Sequence, residues 1–226
     1  MNRYNMFYQV HKGLREMLYQ TATRLQQTDF TNAAESTAIA SQMTDILELF
    51  DAHAHTEDNF VLTALEAHEP SVASLFEEEH VQDHTLSKHL KSLLTMLQHS
   101  IANAERNEIG SAIRVAFVDF LVFNLKHMAK EEKVLNNLLW QYYSDEELHG
   151  ITQKILAHLQ PDTSLQYSTW MMRALSNSEI IAWLKEIKNN APDFVFDGML
   201  RVAEKELSGS RWSAVQEEIT EGAMLA

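Results

Sequence analysis

The chain has 226 residues, with 18 basic side chains against 32 acidic ones, a formal net charge of −14 and no cysteine. An acidic chain without a basic stripe argues against nucleic acid and anionic membranes as partners. The lack of cysteine excludes disulfides and thiolate metal sites.

Hydrophobic content is 45%, and six Gly and three Pro leave few breaks, so a globular protein of long helices is expected. The opening stretch "MNRYNMFYQVHKGLREML" has no apolar core of signal-peptide length. No apolar run reaches ~18 residues, the length a membrane span needs. A cytoplasmic protein is the default expectation.

The apolar period is helical almost everywhere. A first helix is predicted over residues 2–27, with Phe7, Leu14, Leu18 and Leu25 on one face. In the break "QTDFTNAAE", Asn32 and Glu35 have capping-box spacing and open a second helix over 32–67. Pro70 suits the first turn of a third, over 70–104. "NAERNEIGS" reads as a turn before a fourth helix over 109–142. "SDEEL" is another start signal, Ser144 with Glu147. Pro161, Asn177, Pro192 and Gly209 then punctuate about four short helices, with Trp170, Leu175, Ile180, Trp183, Phe194 and Leu200 as their apolar residues. The expected fold is all-α. It combines an up-down-up-down four-helix bundle over 1–143 with a C-terminal helical extension, 144–226, packed on it.

His53 and Glu57 in "HAHTED", and His127 and Glu131 in "HMAKEE", stand four residues apart, about 40° from each other on one helical face. Composition alone predicts about one such pair, and two occur. Their surroundings carry more weight. The stripe Ile39, Met43, Ile46, Phe50, His53, Glu57, Phe60, Ala64 is apolar apart from the pair. Ile113, Phe117, Phe120, Asn124, His127, Glu131, Val134 and Leu138 repeat it on the fourth helix. His11 lies on the stripe of Phe7, Leu14 and Leu18, and His80 and Asp83 lie on that of Val72, Phe76, Leu90, Leu94 and Leu97. Two carboxylates facing several imidazoles inside a bundle require a compensating cation. Imidazole with carboxylate suits iron, manganese or zinc, and two such acids complement two metals about 3.5–4 Å apart.

His55 falls about 160° from the stripe and Asp58 about 100° from Glu57, so both should face solvent, as should Glu132. Asn124 and Asp83 could accept hydrogen bonds from ligand rings. Tyr4 and Tyr8 read as core or rim, and His68, His89, His99, His149 and His158 as surface.

In order and spacing, "VHKGLR" (His11), "HAHTED" (His53, Glu57), "EEEHVQDH" (His80) and "HMAKEE" (His127, Glu131) resemble the hemerythrin-like proteins over roughly residues 1–142. That resemblance implies two iron ions, oxo- or hydroxo-bridged, with Glu57 and Glu131 bridging. The ligand chemistry alone leaves manganese and zinc open. The oxygen-carrying hemerythrins of invertebrates have HxxxH on the third helix and HxxxxD on the fourth. This chain joins His80 and His84 at HxxxH spacing to HxxxE on the fourth helix, a hybrid. His84 is therefore a candidate fifth imidazole ligand; the alternative is a solvated ring, toward Ser87, Lys88 and Lys91. The resemblance implies binding or sensing of dioxygen or nitric oxide. The alternative is an enzyme-like role in nitric oxide or peroxide reduction, or iron donation for iron–sulfur cluster repair. The oligomeric state stays open.

Overall fold

The computed structural model describes residues 3–224, with side chains over 3–220. Among these residues it is helical and has no strand. Nor is any helix among them long and apolar enough to cross a membrane. By its contacts the chain divides into two compact units: Met1–Tyr8 with Met17–Leu159, and Gln9–Glu16 with Gln160–Ala226.

The long helices are α1 (Tyr8–Gln27), α2 (Ala33–Thr56), α4 (Pro70–His99) and α5 (Asn103–Lys133). A π-helical turn (Glu57–Leu62) and the short α3 (Thr63–Glu66) continue α2. Residues 28–32, 67–69 and 100–102 connect the long helices, and connections this short join antiparallel neighbours. After α5 come α6 (Leu135–Tyr142) and α7 (Asp145–His158), so the first unit runs to Leu159, whereas sequence signals alone suggest a boundary at 143.

Local chemistry sets the ends. Asn5 Oδ1 accepts from the N–H groups of Phe7 and Tyr8, so α1 begins later than predicted. Asn32 caps α2 by accepting from Ala34 and Glu35. Ser144 and Glu147 form the full capping box of α7.

"NAERNEIGS" is not a turn but the first turns of α5. The chain turns earlier, where Ser100 is extended and the Arg106 guanidinium donates to the carbonyls of Phe30, Leu97 and Ser100. Gly110 is there for closeness: a Cβ would lie 2.2 Å from Phe30 Cδ2.

Phe7, Val61, Leu62, Leu65, Ala73, Phe76, Leu135, Leu139 and Leu148 form one buried cluster of this unit. Each large member contributes about 1.5–3 kcal/mol by leaving water.

The second unit holds α8 (Pro161–Ala174), α9 (Asn177–Asn190), α10 (Asp193–Glu206) and α11 (Gly209–Met224). Its core includes Met172, Leu175, Ile180, Leu184, Met199, Ala203 and Val215. Pro161 starts α8, and Ser176 with Glu179 forms a capping box on α9. Gly13 lets the backbone of residues 9–16 approach that of α8, since a Cβ would meet Met171 N at 2.9 Å.

Candidate metal centre

The apolar stripes carry their polar residues into the interior at one level. Among the described residues, two groups of buried side chains each offer four ligand atoms lying within 4.8 Å of one another. One is His11, His53, Glu57 and Glu131; the other is Glu57, His80, His127 and Glu131. Glu57 and Glu131 belong to both. Six of the seven residues expected from the sequence thus come together.

The seventh does not. The His84 side chain is 71% exposed, and its Nδ1 lies 3.8 Å from Asp51 Oδ1, a carboxylate that Lys91 also pairs with. Four residues of α-helix carry His84 about 40° beyond His80, and here that turn takes the ring out of the core.

Imidazole nitrogens converge on the carboxylates. His53 Nε2 lies 3.3 Å from Glu57 Oε1, His80 Nε2 3.4 Å from Glu57 Oε2, and His127 Nε2 2.9 Å from Glu131 Oε1. The Nε2 atoms of His80 and His127 are 3.1 Å apart. Their other ring nitrogens are occupied: His80 Nδ1 donates to Asp58 Oδ1 at 2.6 Å, and His127 Nδ1 donates to Glu79 Oε2 at 2.8 Å. An ionised carboxylate only accepts, so each Nδ1 carries the proton and each Nε2 presents its lone pair inward. Two such lone pairs at this distance repel unless a proton or a cation meets them.

Protons are held very tightly here. Burial opposes a charge on His80, yet the Asp58, Glu131 and Glu57 carboxylates push it up to about 12. Burial likewise opposes a charge on His127, which Glu131, Glu57 and Glu79 raise to about 9. Burial also pushes up the Asp83 carboxyl, against the Asn124 hydrogen bond. The interior therefore demands positive charge, and a cation on the Nε2 atoms would supply it. Ring, carboxylate and orienting carboxylate are the donor set that a His/Glu metal site uses; the residues fit the metal.

The orienting residues differ from the expected ones. Asp58 is not lost to solvent: its side chain is 41% exposed, yet Oδ1 reaches His80 from the π turn. That wider turn advances each residue by a smaller angle and keeps Asp58 beside His80. The Thr63 hydroxyl donates to the Asp58 carbonyl across it. Glu79 had no signal beyond its place next to His80 in an acidic run; Lys130 anchors its other oxygen. Asn124 and Asp83 bond to each other, Nδ2 to Oδ1 at 2.6 Å. His55 is exposed, as expected. Tyr4 pairs its hydroxyl with Thr152 and stacks on His149.

The sequence is similar to those of known proteins. Residues 2–159 match the hemerythrin HHE cation-binding domain. The chain is similar to F-box/LRR-repeat protein 5 of Xenopus tropicalis, 21% identical over 164 residues, which are 71% of this chain and 24% of that one. It is also similar to that of Mus musculus, 22% identical over 162 residues, 71% of this chain and 23% of that one. The chain thus spans about a quarter of the length of the curated relatives it matches. No solved structure matches it significantly. With the family matched over most of its length and the His/Glu residues gathered in the interior, the chain belongs to the hemerythrin HHE cation-binding domain family.

Proposed function

We propose that the protein binds two iron ions and uses them to bind or sense dioxygen or nitric oxide. The observation that carries this reading is the sharing of Glu57 and Glu131 by both ligand groups. His11 and His53 would hold one ion and His80 and His127 the other, with the shared carboxylates bridging. When loaded, the iron pair supplies redox-active positions open to a small diatomic molecule. The protein's own work is to present six ligand side chains and to fix the His80 and His127 tautomers through Asp58 and Glu79. The relatives are named for an F-box and LRR repeats rather than for a reaction, which favours sensing over turnover.

The test is the metal content and ultraviolet–visible spectrum of purified protein, followed by exposure of the reduced form to dioxygen and nitric oxide. About two irons per chain and a reversible spectral change are expected. Rapid irreversible oxidation with nitric oxide or peroxide consumption would shift the reading to an enzyme. A protein that takes up no iron under aerobic or anaerobic reconstitution, or holds only manganese or zinc, sinks it.

A further inference from the structure

A small cavity of about 10 Å³ opens beside His53, Glu57, His80 and His127. That is roughly the room one water-sized group occupies. The rest of its wall is Phe50, Ala54, Asp83 and Asn124. Two of these are apolar. The other two are the polar lining residues that the ligand set does not use, and they are 4% and 2% exposed.

A buried carboxyl is expensive and needs partners. Asp83 has one hydrogen-bond partner among the described residues: Asn124 Nδ2 donates to its Oδ1. Asn124 is fixed in turn, because the same Nδ2 donates to the Phe120 carbonyl at 3.1 Å. Both N–H bonds of the amide are thus spent, one on Asp83 Oδ1 and one on the Phe120 carbonyl, and Asp83 Oδ2 keeps its hydrogen-bonding capacity at the cavity wall. A purely structural role on an inner stripe would be filled more cheaply by an apolar side chain, as at Phe76 and Leu90 on the same helix.

We propose that Asp83, held in place by Asn124, is a specificity-determining contact of this cavity: it hydrogen-bonds a small ligand seated beside the centre and sets how long that ligand stays. The inference rests on the diiron reading above. Cavity size restricts the ligand to a molecule of a few atoms. Burial raises the Asp83 carboxyl and so favours its protonated form, whose O–H donates; Asp83 therefore selects a ligand that accepts a hydrogen bond, as bound nitric oxide does. Phe50 and Ala54 offer no such bond and Asn124 has spent both N–H groups, so donation to the ligand from this part of the wall falls on Asp83.

The experiment uses the full chain, iron-loaded and reduced, with nitric oxide as the probe. Asp83→Leu should release nitric oxide roughly tenfold faster, the loss of about one buried hydrogen bond, and should shift the N–O stretching frequency. Asp83→Ala, which adds no bulk, should do the same and guards against a leucine variant that fails to fold. Asp83→Asn keeps a hydrogen-bonding group and should restore both readouts toward wild type. Iron content should match wild type in all three variants. Release and stretching frequency unchanged in Asp83→Leu or Asp83→Ala would overturn the inference alone. Loss of iron in those variants would overturn it too, by placing Asp83 in the ligand framework. A wild-type protein that binds no iron or no nitric oxide refutes the diiron reading itself, a distinguishable result.

Discussion

After Glu57 on α2 and after Glu131 on α5, the buried face of the helix slips by one residue. Below each glutamate the apolar stripe keeps its period: Phe50 and His53 on one side, Phe120, Asn124 and His127 on the other, are all buried. Beyond it, regular spacing predicts Phe60 and Ala64, and Val134 and Leu138. The structure buries Val61 and Leu65, and Leu135 and Leu139. The two helices reach the same slip differently. On the first, the π turn at Glu57–Leu62 absorbs the extra residue within a hydrogen-bonded helix. On the second, α5 gives way to α6 at Val134, whose angles stay in the right-handed region (φ −100, ψ −62) and whose N–H still bonds the Lys130 carbonyl. A slip spread over a turn redirects the neighbours of the ligand, and a slip confined to one residue past the motif does not. Both orienting carboxylates reach across to a neighbouring helix, but Asp58, next to Glu57, comes from the motif's own slip, whereas the partner of His127 is Glu79 on α4, not a sequence neighbour of Glu131.

The largest expected effect tests the feature the two motifs share. Glu57→Ala and Glu131→Ala should each reduce bound iron to less than half of wild type, because each removes a carboxylate that belongs to both ligand groups. Metal-dependent stability should fall with it, since binding free energy adds to the folded state. Elemental analysis and thermal unfolding with and without chelator would check this. Full iron content in either variant would break the symmetry between the motifs and remove that acid from the bridge.

A smaller effect sharpens the difference. Asp58→Ala and Glu79→Ala each release one ring nitrogen while leaving the six ligand side chains in place. Metal affinity should drop roughly ten- to hundredfold in each, the usual cost of losing an orienting partner of a ligand histidine. Competition with a chelator of known affinity would read this. An Asp58 variant indistinguishable from His55→Ala, whose ring is exposed, would mean that the π turn does not serve the site.

These differences show how much the sequence makes legible. A constant helical period is enough to find the inner stripes, the six His and Glu positions that meet in the interior and the four long helices, because burial forces that period on apolar residues. It fails wherever the period changes. An advance of about 100° per residue points Asp58 to solvent alone; in the π turn its side chain is 41% exposed and still reaches His80. Gly110 reads as a turn signal, but its role is to admit the Phe30 ring. Glu79 carries no mark of its role, because its partner lies on another helix and pairing across helices is invisible to periodicity.

His84 gives the smallest expected effect and the finest test of the spacing argument. HxxxH spacing put it forward as a ligand together with His80, and the same helix turns one ring inward and the other out. Its only ion-pair partner among the described residues is Asp51, itself paired with Lys91, so removing the ring leaves that carboxylate with a partner. Exposed pairs of this kind contribute about 0–1 kcal/mol. His84→Ala should therefore keep wild-type iron content and unfold within a few degrees of wild type. The alternative predicts something different in kind: if the ring turned inward when iron binds, the variant would lose affinity only in the loaded state and leave the iron-free protein untouched. Comparing unfolding of the two forms separates these outcomes, and a loss confined to the loaded form would return His84 to the ligand set.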